Sequence, residues 1–155
     1  MIPLEGGCDC RGVRYRMKAA PMIVHCCHCR WCQRETGSAF VINAIVETRN
    51  LEVTGETVMV DTPSASGKGQ KIVRCPKCHV ALWSHYPQAG RALAFVRAGT
   101  LDDPDAMRPD VHIYAASKLP WVQLPDDAKI FAEFYDVPKV WSAEARARAA
   151  AAREN

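Results

Sequence analysis

The sequence has no long hydrophobic run. No segment approaches the roughly 18 uninterrupted apolar residues that a membrane-spanning helix needs. Residues 1–7 also lack a basic stretch followed by an apolar run, which is the pattern of a secretory signal. We therefore expect a soluble protein that is neither inserted in a membrane nor secreted, and we expect it to be cytoplasmic.

Clusters of basic residues are missing as well. The formal net charge is +3, but no run of lysine and arginine is interleaved with aromatic residues, as a nucleic-acid groove would require. Cysteines that bind a metal are thiolates, and each one lowers the charge. Metal-bound thiolates would remove this small positive excess, so charge does not favour a nucleic-acid partner.

A βαβ rhythm is also absent. The chain of 155 residues suits a single domain, and most of it consists of short β-branched and aromatic runs separated by turn-forming residues. These runs predict a mainly β fold, either a sandwich or a folded-over sheet. The predicted strands are 13–17, 23–27, 39–46, 51–54, 57–61, 71–74, 80–85, 93–98, 112–116 and 129–134, and the polar stretch 62–70 reads as an exposed hairpin connection.

Only the C-terminal tail has the composition of a helix. Ser142 is a suitable N-cap, and the residues after it are nearly all strong helix formers. We therefore divide the chain into a zinc-binding domain at 1–136 and a helical tail at 137–155. The tail has little except alanine to bury, so both a frayed appendage and an arm that joins subunits of a homo-oligomer are open.

Against these absences, the chain contains eight cysteines. In a chain without a secretory signal, cysteines stay reduced, and short cysteine spacings then indicate metal ligands rather than disulfides. Cys8 and Cys10 form one such pair, and Cys75 and Cys78 form another. Two pairs complete a tetrahedral site of four thiolates, which leaves no position for a substrate. We predict a structural zinc there.

The remaining cysteines lie in one dense cluster, H-C-C-H-C-R-W-C at 25–32. If this segment enters on a strand, Cys27 and Cys29 share one face, while Cys26 and His28 point to the other. We therefore predict Cys27, Cys29 and Cys32 as ligands of a second zinc and place Cys26 in the core. Three protein ligands leave a fourth position open, as in catalytic zinc sites, and a thiolate-rich site suits an incoming thiol.

The order of these motifs resembles a known family. The matching segments are GGCDC at 6–10, CHCRWCQRETGSAF at 27–40, RCPKC at 74–78, PDVHI at 109–113, KLPW at 118–121 and LPDD at 124–127. In this order they resemble the glutathione-dependent formaldehyde-activating enzymes, whose domain also occurs in centromere protein V. The resemblance covers about residues 5–135, and the helical tail lies outside it.

The resemblance implies a fold called Mss4-like and the same two zinc sites. It also implies the reaction in which glutathione and formaldehyde give S-hydroxymethylglutathione, a carbon–sulfur lyase reaction in reverse. Zinc and glutathione, or another thiol, are then the expected cofactor and co-substrate. The alternative is an interaction module without turnover, and a fourth protein ligand from His25, Cys26 or His28 would favour it because that ligand would seal the second zinc.

Four further residues are candidates for substrate binding at the second zinc. They are Arg30, Trp31, Phe40 and Trp121. Trp31 is the strongest of them because it lies within the metal loop, whereas Phe40 and Trp121 are more typical of core packing and loop anchoring. His112 is a titratable candidate for proton transfer, although a histidine on a buried strand is usually structural. The sequence does not nominate a proton donor.

Overall fold

In the computed structural model, which describes residues 4–154, the strands form two sheets that are mostly antiparallel. The strands are β1 (Leu4–Gly7), β2 (Arg14–Met17), β3 (Ile23–Cys27), β4 (Val41–Glu47), β5 (Leu51–Thr54), β6 (Val58–Thr62), β7 (Gln70–Arg74), β8 (Ala81–His85), β9 (Leu93–Arg97), β10 (Val111–Ile113) and β11 (Lys129–Ile130). The helices are α1 (Arg30–Thr36), α2 (Val137–Val140) and α3 (Ala143–Arg153).

The smaller sheet has the strand order β1-β2-β5, and the larger has the order β11-β10-β3-β4-β9-β8-β7-β6. All pairings are antiparallel except those of β10, which runs parallel to both β3 and β11. This is the mainly β, Mss4-like architecture with a short C-terminal helix that the sequence predicts. None of the helices among residues 4–154 is long and apolar enough to cross a membrane.

Strand β3 is buried along its whole length because both faces of the large sheet are covered. Val24 and Ala44 belong to the core on one face, together with Cys8 and Cys75. Residues Ile23 and Cys27 belong to the core on the opposite face. Alternation along β3 therefore separates the two predicted cysteine clusters onto opposite sides of one sheet.

The C-terminal helix packs on its own chain. The Ser142 hydroxyl caps α3 by accepting a hydrogen bond of 3.0 Å from the backbone N–H of Ala145, as the sequence predicts. Its buried alanines join the core that contains Cys27. Arg148 donates to both carboxylate oxygens of Glu47, at 2.8 and 2.7 Å. Alanine thus provides a flat face that lies close to the sheet, and one ion pair holds it there.

Each predicted strand coincides with an observed strand, although the boundaries differ at several ends. The largest differences are at residues 115–117, which form a 3₁₀ turn rather than the end of a strand, and at β11, which contains only two residues. Strand β1 and helix α1 were not predicted. The connection between β6 and β7, residues 63–69, is the predicted hairpin connection.

Candidate metal centres

Four cysteine sulfurs meet between the two sheets. Cys8 and Cys10 come from the turn after β1, and Cys75 and Cys78 from the turn between β7 and β8. All four Sγ atoms lie within 4.8 Å of one another, and the Cys10 Sγ is 3.6 Å from those of both Cys8 and Cys75. The structure thus brings together the four residues of the first predicted site, here called the four-cysteine group.

The two turns of the four-cysteine group have the same backbone shape. In each turn, a backbone N–H donates to the carbonyl of the first cysteine. The N–H of Arg11, three positions on, donates to the Cys8 carbonyl at 3.0 Å, and the N–H of His79, four positions on, donates to the Cys75 carbonyl at 2.9 Å. Both donors have left-handed backbone conformations, with φ of 60° and 61°. The N–H of Val13 also points at the Cys8 Sγ, at 3.2 Å. Such a donor stabilises a thiolate rather than a thiol.

The four-cysteine group fits a tetrahedral zinc ion. Zn–S bonds of 2.3 Å require sulfur–sulfur separations of about 3.8 Å, and the two measured separations are 3.6 Å. Backbone hydrogen bonds with Cys10 and Val80 lower the pKa of Cys78 to about 6. Four thiolates in so small a space would repel one another strongly, so a cation is the natural centre of the group.

Three other cysteine sulfurs gather on the opposite face of the sheet. Cys27 ends β3, Cys29 caps α1, and Cys32 lies in the first turn of that helix. Their Sγ atoms lie within 4.8 Å of one another, and each residue is at most 6% exposed. This three-cysteine group contains the residues of the second predicted site.

Helix α1 shapes the three-cysteine group. The Cys29 sulfur takes the place of the usual capping oxygen and accepts from the backbone N–H of Cys32 at 3.3 Å. Hydrogen bonding with Cys27 and Cys32 lowers the pKa of Cys29 to about 3, whereas the bonds from Cys29 and Cys32 raise that of Cys27 far above its ordinary value. One thiolate is thus stabilised at the expense of its neighbours, and ionising all three together requires a bound cation.

Within residues 4–154, no fourth histidine, cysteine or carboxylate joins the three-cysteine group. His25 lies elsewhere, with its Nε2 atom 2.5 Å from the Tyr135 hydroxyl. Cys26 and His28 face the other side of β3, where they lie with His112. The three residues that would have sealed a metal are therefore placed away from it.

Three residues that the sequence analysis did not select interact electrostatically with the three-cysteine group. Burial raises the pKa of Tyr114, and the negative charges of the three cysteines raise it further. The same two causes raise the pKa of Tyr86, while Arg97 opposes them. Both phenols therefore lie within electrostatic reach of the sulfurs and remain protonated at neutral pH.

Arg97 is a buried cation in this region. It is 5% exposed and donates to the Asn43 Oδ1 at 2.7 Å and to the Ser84 Oγ at 3.0 Å. Its charge acts on both Cys32 and Tyr86. A divalent ion with three thiolates has a net charge of −1, and Arg97 is placed to offset it. No sequence pattern marks Arg97, because its hydrogen-bond partners come from two other strands, β4 and β8.

The residues predicted to bind substrate are dispersed. Trp31 packs against the core that contains the three-cysteine group. Arg30 is exposed and donates to Gln33 at 2.7 Å. The Phe40 ring lies edge-on to the ring of His28, with centroids 5.5 Å apart, and therefore faces the other side of the sheet. Trp121 is 72% exposed. Of the four, Trp31 alone lies in the same core as the three sulfurs.

An ion pair joins the two cysteine groups. Glu35, on α1, pairs with Arg74, the last residue of β7 before Cys75. Arg74 also donates to the carbonyl of His79 at 3.0 Å. Both charged side chains are mostly buried, at 13% and 22% exposed, so removing either one would leave the other as a buried charge without its partner.

Comparisons with known proteins gave matches of three kinds. A Halomonas elongata protein, provisionally named a glutathione-dependent formaldehyde-activating enzyme, is 28% identical over 129 aligned residues, and the match covers 78% of this chain and 80% of that protein. A crystallised Rhodobacter sphaeroides protein superposes with a TM-score of 0.48 at 16% identity, over 63% of this chain and 87% of its own. The family model described as glutathione-dependent formaldehyde-activating enzyme matches residues 3–117. Because this match covers more than half of the chain, the protein belongs to the glutathione-dependent formaldehyde-activating enzyme family.

Proposed function

We propose that the protein catalyses the reversible addition of a thiol, glutathione in the first instance, to formaldehyde, with a zinc ion held by Cys27, Cys29 and Cys32. The observation that carries this proposal is the convergence of three buried sulfurs that have no fourth protein ligand among the described residues. A second zinc in the four-cysteine group would be structural. Family membership supports the chemistry.

In the proposed reaction, the thiolate sulfur forms a bond with the aldehyde carbon, and the carbonyl π pair moves to oxygen, which then takes a proton. The thiol's own proton is released to solvent, and the group that protonates the oxygen regains one proton from solvent, so the hydroxymethyl product contains all the atoms of both substrates with no net proton change. When bound, the metal supplies the positive charge that keeps an incoming thiol ionised at neutral pH. The chain must supply the proton and a binding site for the rest of the thiol.

Tyr114 is placed to supply the proton. It follows β10 and packs against the core of the three-cysteine group, and its backbone is left-handed, with φ of 54°. Its N–H donates to the Glu133 carbonyl at 3.1 Å, and the Ser117 hydroxyl donates to its carbonyl at 3.1 Å. A strained residue fixed on both sides is typical of a functional position. Tyr114 is only partly buried, so a substrate can reach it.

Replacing Tyr114 by phenylalanine should lower kcat by about 10²-fold, because a positioned general acid contributes roughly that much. KM and bound metal should not change. The measurement is steady-state kinetics combined with metal analysis, and Tyr86→Phe is the matched control, expected to have a smaller effect on kcat. A Tyr114→Phe enzyme with unchanged kcat would remove this residue from the reaction.

A cleft beside the β6–β7 connection suits the rest of glutathione. Its volume is about 640 Å³, within the range of small-molecule sites. Tyr86 lines it, so the cleft reaches the neighbourhood of the three-cysteine group. Lysines 68 and 71 and Arg91 also line it, and Lys71 is paired with Asp61. The other two cations have no ion pair among the described residues and can attract the two carboxylates of glutathione.

Reversing both of these charges, as Lys68→Glu with Arg91→Glu, should raise KM for glutathione about tenfold and leave kcat nearly unchanged, because each exposed contact contributes about 0.5–1 kcal/mol. The same change at an exposed lysine on β11, Lys129→Glu, is the matched control. Steady-state kinetics with glutathione as the varied substrate measures the effect. If the double variant, the Lys129→Glu control and the wild type gave equal KM values, the cleft would not be the carboxylate site.

The proposed function is tested by exchange NMR on a mixture of glutathione and formaldehyde with the zinc-loaded protein. Micromolar protein should speed the interconversion of free formaldehyde and S-hydroxymethylglutathione well above the rate without protein. A rate equal to that of the uncatalysed mixture would reject the formaldehyde assignment. Repeating the experiment with other small thiols would then show whether thiol addition itself is lost.

A further inference from the structure

A third group of metal-binding side chains lies on the face of β3 opposite the three-cysteine group. It consists of Cys26, His28 and His112, each of which offers a ligand atom within 4.8 Å of the other two. These residues are 1%, 0% and 8% exposed. We name them the Cys-His-His group. Nothing in the proposed reaction uses it.

The spacing of these atoms matches a zinc-type ion. Bonds of 2.3 Å to sulfur and 2.0–2.1 Å to imidazole nitrogen give tetrahedral separations of about 3.5 Å for sulfur to nitrogen and about 3.3 Å for nitrogen to nitrogen. The measured separations are 3.5 Å from the Cys26 Sγ to the His28 Nε2 and 3.0 Å from that nitrogen to the His112 Nδ1. Metal entry would require the two rings to separate by only a few tenths of an ångström.

Backbone contacts already hold the three residues in place. Cys26 and His112 are direct partners in the parallel pairing of β3 with β10. The His28 N–H donates to the Ile113 carbonyl at 3.0 Å, and the His28 carbonyl accepts from the Gln33 amide at 2.8 Å. The two imidazole rings are stacked, with centroids 5.3 Å apart. The group is therefore largely preorganised, which reduces the entropic cost of binding an ion.

Two histidines with a purely structural role would not need a third metal-ligand atom beside them. A hydrogen bond between the two rings would satisfy the His28 Nε2 and His112 Nδ1 atoms with each other, yet the Cys26 sulfur points at the same His28 nitrogen. One thiolate and two imidazoles are ligands that zinc and its relatives accept. No other histidine, cysteine or carboxylate of the described residues joins them, so a fourth position would remain for a small ligand.

Charge balance favours a divalent ion. A divalent ion with one thiolate and two neutral imidazoles has a net charge of +1, which opposes the −1 of a three-thiolate zinc site across the same strand. Lys118 opposes the binding of a cation at this group, because its positive charge acts on His28. Its ammonium is bound by the carbonyls of Leu119 and Val122, at 3.2 and 2.6 Å. The site should accordingly hold its ion less tightly than the four-cysteine group does.

We propose that Cys26, His28 and His112 form a third metal site, selective for divalent ions of the zinc class and separate from the two cysteine groups. The proposal is independent of the reaction, since it concerns binding alone. It makes this chain a three-metal protein when metal is not limiting.

The test is ¹¹³Cd NMR of the full chain loaded with cadmium and dialysed against metal-free buffer, together with the metal content per chain. Wild-type protein should give three resonances and three ions. The third resonance should lie at lower frequency than the other two, because it has one sulfur ligand rather than three or four. Two resonances and two ions in folded wild-type protein would overturn the proposal without the need for any variant.

Variants locate the third ion. Cys26→Ser and His112→Asn should each lose the third resonance and one ion and keep the other two resonances. His85→Asn is the matched control, because His85 is also a buried histidine but its ring nitrogens bond to the Leu93 carbonyl and the Trp83 indole. This control should keep all three ions. A third resonance that persists in Cys26→Ser and in His112→Asn would place the ion elsewhere and overturn the assignment.

Discussion

Replacing Cys75 by serine is expected to abolish the cooperative folding of the chain. Cys75 and Cys10 lie 65 positions apart, and the four-cysteine group is the point where the turn after β1 meets the turn between β7 and β8. A structural zinc contributes about 10–16 kcal/mol in small peptides, which is comparable to the roughly 5–15 kcal/mol of stability of a whole domain. Serine provides no thiolate, so most of this contribution is lost.

The measurement is thermal unfolding followed by circular dichroism, with metal analysis of the same samples. Wild-type protein should show one sharp transition, and Cys75→Ser should show none, or one lowered by tens of degrees. Chelator treatment of the wild type should produce the same loss, and added zinc should reverse it. A Cys75→Ser protein that melts with the wild type and keeps its full metal content would show that the four sulfurs do not support the fold.

Much of this architecture is readable from the sequence because the strands are rich in β-branched residues. β3 and β5 were predicted with the boundaries that the structure has. Strand β1 was missed because half of it is glycine. A side chain on Gly6 would lie 2.5 Å from both the Thr100 carbonyl oxygen and the Tyr15 hydroxyl, so packing, rather than β propensity, decides the residue there.

Helix α1 was missed for a different reason. It has only seven residues, and its N-cap is Cys29, a sulfur rather than the serine, threonine or aspartate that usually marks a helix start. The alternation argument nevertheless placed Cys27 and Cys29 together and Cys26 and His28 apart, as the structure does. Local periodicity is enough to sort neighbours along one strand.

Contacts between distant segments are beyond that kind of reasoning. Tyr114 and Tyr86 reach the three-cysteine group from different strand ends, and Arg97 reaches it from β9. The parallel pairing of β10 with β3 brings Tyr114 to the three-cysteine group. The sequence of a three-residue strand does not predict which strand it will pair with. The proton donor was therefore unreadable from the sequence and becomes a specific proposal only with the fold.

Replacing Cys27 by serine is expected to leave the fold intact and to remove catalysis. The three-cysteine group closes only a short stretch of chain, from the end of β3 to the first turn of α1, so its loss should not separate the sheets. A serine hydroxyl stays protonated and is a poor ligand for a thiophilic ion. Without the ion the incoming thiol loses the divalent positive charge that would keep it ionised, and a loss of about 4 kcal/mol of transition-state stabilisation corresponds to roughly 10³-fold in rate.

The comparison that isolates this effect uses Cys27→Ser, wild type and Arg34→Ala, an exposed residue on α1. Exchange NMR of formaldehyde with glutathione should show the Cys27→Ser rate close to the uncatalysed rate and the Arg34→Ala rate within about twofold of wild type. Bound metal should fall by one ion per chain in Cys27→Ser alone. Thermal unfolding of Cys27→Ser should remain cooperative, in contrast to Cys75→Ser. A Cys27→Ser protein that retains wild-type turnover would place the chemistry outside the three-cysteine group, and one that loses its fold would give this group the structural role assigned here to the other four sulfurs.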